Sequence, residues 1–127
     1  MKTILVDAVG CFVQEDGQIF EDMRSLLEAY PNKKIILTGA SKENFNKYNL
    51  DKMPYEVFTL EHNPEKTEPK YFEKMLSQFN LDKQKVIYFE HNPKAVQSAQ
   101  ATGITAYFYD ADKKDLSGLK KFIEDNL

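Results

Sequence analysis

Residues 2–13 read Lys-Thr-Ile-Leu-Val-Asp-Ala-Val-Gly-Cys-Phe-Val. Thr3, Ile4, Leu5 and Val6 form a short apolar run rich in β-branched residues, which stops at Asp7 with Gly10 close behind. A strand buried on both faces has this pattern, because it has no wet face to carry alternate polar residues. Asp7 then stands at the C-terminal tip of the strand, the end at which open α/β sheets bind their ligands. An Asp in this position also serves as a cap for the following turn, so the stretch alone leaves Asp7 open between chemistry and capping.

The chain around this stretch has 127 residues, enough for one good core and too few for two ordinary domains, so a single domain over residues 1–127 is expected. With 42% hydrophobic and 29% charged residues it has the composition of a globular protein, and no apolar run approaches the ~20 residues of a membrane span. The first residues lead directly into the strand without the pattern of a secretory leader, and Cys11 is the only cysteine, so no internal disulfide can form. A cytoplasmic protein is the expectation. Lysines and glutamates are interspersed and the formal charge is −3, so no basic stripe exists for a nucleic-acid surface.

Asp16-Gly17 between Phe12–Gln14 and Gln18–Phe20 predicts a small hairpin flap beside Asp7. Met23, Leu26, Leu27 and Tyr30 recur at helical spacing, predicting a helix over 21–30 with Glu21 and Asp22 at its dipole-favoured start. Ile35–Thr38 is a second buried strand, ending in Thr38-Gly39-Ala40-Ser41, and Ser41 with Asn44 predicts a short helix through Tyr48. A third strand is expected over 55–60, a Pro-entered helix over 69–79, a fourth strand over 86–89 and a helix from Asn92-Pro93 to a stop at Gly103. A fifth strand over 105–109 and an amphipathic helix over 116–127 close the chain. Five strands alternating with helices imply a three-layer, doubly wound parallel sheet of Rossmann-like α/β type. Glu-His-Asn-Pro occurs at 61–64 and again at 90–93, each time after a strand, and reads as repeated strand-to-helix grammar rather than duplication.

Taken in order, the strand-tip signals resemble the motifs of the haloacid dehalogenase superfamily of phosphatases and related hydrolases. Asp7-Ala8-Val9-Gly10-Cys11 resembles the first motif, Asp-x-Asp-Gly-Thr, and Leu37-Thr38-Gly39 resembles the second. Lys66-Thr67-Glu68-Pro69 resembles the third, and Tyr88-Phe89-Glu90-His91-Asn92, followed by Ala95, Ala99 and Gly103, resembles the fourth. The resemblance implies strand order 5-4-1-2-3. It also implies that Asp7 is a nucleophile forming an aspartyl intermediate, that Thr38 and Gly39 bind the transferring group, and that Lys66 neutralises nucleophile and substrate. Magnesium would be held by Asp7, the main-chain carbonyl of Val9 and Glu90. The substrate would be a small phosphorylated molecule or a phosphorylated macromolecule, and because the spacing leaves no room for a cap domain, a homo-oligomer is one way to close the site.

Two departures qualify this. The family's phosphatases protonate the leaving oxygen with the second Asp of the first motif, and here Val9 stands in its place. His91 follows Glu90 where a second acid often lies; it either replaces the missing acid or packs at the sheet edge, and packing is the plainer reading. The dehalogenase branch, which shares Asp-Ala-x-Gly, uses a halide-binding Arg on a helical cap, whereas the only arginine here, Arg24, falls on a helix expected to pack on the sheet. Three functions are therefore open: a capless phosphatase-type hydrolase of weak or specialised activity, a catalytically inactive binding or scaffolding module, and a phosphate- or nucleotide-binding regulatory domain.

Overall fold

The computed structural model describes residues 1–127. The opening apolar run becomes β1 (Thr3–Asp7), and the later ones become β2 (Lys34–Thr38), β3 (Glu56–Thr59), β4 (Val86–Glu90) and β5 (Thr105–Phe108). All pair in parallel in the order β3-β2-β1-β4-β5, as the family resemblance implied. The three inner strands, β1, β2 and β4, are buried at every residue, whereas β3 and β5 at the edges are partly exposed. This is why the inner strands read as unbroken apolar runs.

Successive residues of β1 face opposite layers. Ile4 and Val6 join Ile36, Ile87 and Phe89 under α1 (Glu21–Glu28) and α4 (Leu116–Asn126), which contribute Met23, Leu27, Leu119 and Ile123. Leu5, Ile35, Leu37 and Tyr88 face α2 (Pro69–Gln78) and α3 (Pro93–Ala101), which contribute Tyr71, Phe72, Met75 and Ala99. The helices start where local chemistry allows. Pro69 and Pro93 occupy first-turn positions that need no N–H, and Asn92 caps α3 by accepting from the Lys94 N–H at 3.0 Å. Gly103 ends α3 with φ +95°, a conformation that suits glycine.

The structure differs from expectation between β2 and α2. No helix runs from Ser41 to Tyr48; Lys42–Asn44 makes one 3₁₀ turn, and Leu50–Lys52 makes a second that the sequence did not suggest. The segment carries Asn44, Asn46 and Asn49, whose side chains compete with helical backbone bonds, and Asn49 adopts φ 56°. The two Glu-His-Asn-Pro copies also part company. The second caps α3 as expected, but in the first Glu61 and His62 take left-handed backbone and no helix begins until Pro69.

The predicted flap is present as a tight turn. The Gln14 N–H bonds the Gln18 carbonyl at 2.8 Å, and single bridges link Val13 to Val9 and to Ile19. Its inner residues Phe12 and Val13 are fully buried, so it is anchored in the core beside β1. Between Asp7 and Thr38, and between Thr38 and Lys66, the chain builds no additional domain over the strand tips.

Candidate active site

Register brings the site together. Asp7 ends β1 opposite Leu37, so Thr38 lies one residue further along β2, while Val6 pairs with Phe89 and places Glu90 beside Asp7. Lys66 reaches in from the loop between β3 and α2. All of the sequence-predicted residues, Asp7, Val9, Thr38, Gly39, Lys66 and Glu90, line one open cleft of about 310 Å³ at the C-terminal edge of the sheet.

Within it lies a closed cycle of charge. The Lys66 ammonium donates to Asp7 Oδ1 at 2.6 Å and stands 2.7 Å from Glu90 Oε1, with a further bond to the Leu37 carbonyl at 3.2 Å. His91 closes the other side. Its Nδ1 is 2.5 Å from Asp7 Oδ2 and 3.4 Å from Glu90 Oε2. The plainer expectation for His91, packing at the sheet edge, is therefore corrected: two carboxylates turn the ring inward. Glu90, 1% exposed, also accepts from the Tyr88 hydroxyl and from the Asn92 N–H.

The ring of His91 fits because Gly10 has no side chain. A Cβ on Gly10 would come within 2.6–3.0 Å of three ring atoms, and Gly10 has φ +99°, which a side chain would strain. The sequence marks Gly10 only as the stop after the first strand and as part of the first motif, and this contact was not foreseen. Two other supports were unforeseen. The Tyr71 hydroxyl donates to the Thr38 carbonyl at 2.7 Å, and Thr59 donates to the Ala40 carbonyl at 2.6 Å, fixing the strand tip that carries Thr38. The Thr38 hydroxyl accepts from the Ala40 N–H at 3.1 Å, which leaves its own proton to donate into the cleft.

Burial pushes the Asp7 carboxyl upward, but the Lys66 charge and the hydrogen bond from His91 outweigh it and hold it well below the usual carboxylate range. Burial works against the Lys66 charge, yet Asp7 and Glu90 together raise its pKa. Hydrogen bonds to Asp7 and Glu90 push His91 up to about 10, so the ring is an imidazolium at neutral pH. Since the His91 value lies above that of an unfolded histidine, its contribution to stability is complete below pH ~6.5 and is lost as pH rises toward 10. Asp7 acts in the opposite sense, contributing fully above pH ~4 and losing its contribution on acidification. Urea midpoints are thus expected to be highest between these limits, and His91→Gln should flatten the alkaline decline while leaving the acid one.

The magnesium set expected from the resemblance fits poorly. Oδ2 of Asp7 and Oε2 of Glu90 both face His91 Nδ1, and their partners Oδ1 and Oε1 both face Lys66. Two carboxylates are already balanced by two side-chain cations. A dication would have to displace the ring.

A parallel doubly wound sheet with a carboxylate, a hydroxyl and an ammonium group converging on one edge defines an α/β domain with its site at the strand tips. The comparisons with known proteins narrow this. The model of the haloacid dehalogenase-like hydrolase family matches residues 12–108, and the chain belongs to that family. The match contains Thr38, Gly39, Lys66, Glu90 and His91 and begins after Asp7. No curated protein matches the sequence.

Solved structures share the fold at low identity. An uncharacterised protein from Corynebacterium glutamicum superposes with a TM-score of 0.68 at 14% identity, over 98% of this chain and 96% of that one. The core domain of a candidate phosphoglycolate phosphatase from Streptococcus pneumoniae gives 0.64 at 15% identity, over 97% and 95%. A haloacid dehalogenase family enzyme from Bacteroides thetaiotaomicron, solved in complex with magnesium and inorganic phosphate, gives 0.63 at 13% identity, over 87% and 95%. No helix of the chain is long and apolar enough to cross a membrane.

Proposed function

We propose that this chain is a phosphatase-type hydrolase in which Asp7 attacks phosphorus and whose substrates are phosphorylated molecules with good leaving groups. The observation that carries the reading is the buried Asp7 carboxylate, kept ionised by Lys66 and His91 at the mouth of a cleft that also holds the Thr38 hydroxyl. Family membership and the phosphate-bound relative from Bacteroides thetaiotaomicron support it.

In the first step an Asp7 oxygen bonds to phosphorus while the bond to the leaving oxygen breaks, and the leaving group departs as an anion. Lys66 and His91 balance the charge gathered around the phosphoryl oxygens, and Thr38 donates a hydrogen bond to one of them. In the second step water attacks phosphorus, the Asp7 oxygen is released as carboxylate, and inorganic phosphate leaves. Nothing at position 9 supplies a proton to the leaving oxygen, because Val9 is apolar.

This gives a discriminating expectation. Val9→Asp should raise turnover of unactivated phosphate esters by about 10²-fold, with far less effect on activated aryl or acyl phosphates, since only a poor leaving group needs the proton. Parallel assays on folded variant and parent check it, and equal gains on both substrate classes would contradict the assigned role. The second reading, a non-catalytic phosphoryl-binding module, is favoured by the same Val9 and by the tethering of both Asp7 oxygens; no gain on either class would support it.

A further inference from the structure

We infer that His91 takes the place of a divalent cation, so that the site binds phosphoryl oxygens without a metal. The inference rests on the reading of the Asp7 cleft as a phosphoryl site and goes beyond it by naming the source of positive charge.

Three observations converge. The first is position: Nδ1 of His91 lies between Asp7 Oδ2 and Glu90 Oε2, carboxylate oxygens carried by two different strands. The second is saturation. Each oxygen of both carboxylates already has a nitrogen of Lys66 or His91 within 3.4 Å, and Glu90 takes two more bonds, from Tyr88 and the Asn92 backbone. The third is accommodation, because the ring lies over Gly10, where any Cβ would collide with it. A histidine that only filled the sheet edge would need neither the glycine nor the two carboxylates.

Crowding points the same way. An added dication shared by Asp7 and Glu90 would meet the nitrogens of Lys66 and His91 at short range and would have to break the hydrogen bond between His91 and Asp7. A phosphate dianion meets no such conflict with the outward faces of Lys66 and His91. The ring is accessible to it, since the His91 side chain is 38% exposed on the cleft side of the cycle.

A rival arrangement uses nearly the same atoms. Asp7, Cys11 and His91 place three ligand atoms within 4.8 Å of one another, a set that would suit zinc better than magnesium. Access disfavours it: Cys11 is 2% exposed and does not line the cleft that holds Asp7 and His91. Its sulfur also lies 3.9 Å from Nδ1, in reach only of a weak hydrogen bond.

The test is calorimetric titration of inorganic phosphate into the full chain, first in EDTA and then with magnesium or with zinc. The dissociation constant of the parent is expected to change by no more than about twofold among the three conditions. In EDTA, His91→Ala should bind phosphate about tenfold more weakly or worse, and magnesium should restore it, because the vacated Asp7 and Glu90 oxygens can then share an ion. A histidine with a merely structural role would show no such rescue. His91→Asn is the second variant should the alanine protein fail to fold, and the EDTA experiment on the parent depends on neither. Phosphate binding by the parent only with magnesium, or only with zinc, overturns the inference while leaving the phosphoryl site intact. Undiminished binding by the His91 variants in EDTA overturns it too. No phosphate binding under any condition removes the phosphoryl reading itself.

Discussion

Replacing Asp7 by Asn is expected to abolish phosphate release from activated acyl and aryl phosphates, lowering kcat/KM by about 10⁴-fold or more. The amide keeps the size of the side chain and its place at the tip of β1, so the cleft should persist. What is lost is the anionic oxygen that bonds phosphorus. Lys66 still has Glu90 Oε1 at 2.7 Å, which keeps its ammonium paired, and the variant should stay folded by circular dichroism. Folded protein with residual turnover within about tenfold of the parent would mean that water attacks directly and that Asp7 is not the nucleophile.

The second large effect is on stability. Lys66→Met removes the cation that joins Asp7 to Glu90 and leaves two carboxylates, 3% and 1% exposed, sharing His91 alone. Removing one partner from a buried ion cluster costs about 3–5 kcal/mol, a large share of the roughly 5–15 kcal/mol that holds a domain together. A fall in Tm of roughly 10–20 °C is expected at neutral pH. The loss should shrink on acidification, because one of the stranded carboxyls can then take up a proton. Adding Glu90→Gln to Lys66→Met should recover part of the stability, since a single buried carboxylate then faces His91. Thermal melts of parent, single and double variants measure this coupling, and an unchanged Tm in the single variant would show the cluster to be of little energetic weight.

Much of this arrangement was legible in the sequence, for physical reasons. Thr3–Val6, Ile35–Leu37 and Val86–Phe89 read as strands because burial on both faces leaves them uninterrupted by polar residues, and their parallel packing puts Asp7, Thr38 and Glu90 at one edge. Lys66 was found through its motif rather than through any local pattern, because it lies in a loop whose path depends on tertiary contacts. That loop shows where legibility ended. Glu61 and His62 adopt positive φ, which no local preference of those residues predicts, and so the first Glu-His-Asn-Pro did not behave like the second. The role of His91 was missed for a related reason. A one-dimensional reading places it just past a strand, but its partners Asp7 and Gly10 are some eighty residues away and meet it only through the pairing of β1 with β4. The departures from the family motifs were visible one at a time; that Glu90, His91 and Gly10 meet in one cluster became visible only in three dimensions.

If Asp7 carries the phosphoryl group during turnover, the group can be trapped on it. The chain is mixed with an activated acyl phosphate, quenched in acid within the first turnovers, digested and examined by mass spectrometry. A phosphoryl adduct is expected on the peptide that spans Asp7, absent from Asp7→Asn and lost on brief treatment with hydroxylamine, as an acyl phosphate must be. Phosphate release without any adduct on that peptide, or an adduct on His62 or His91 instead, would contradict it.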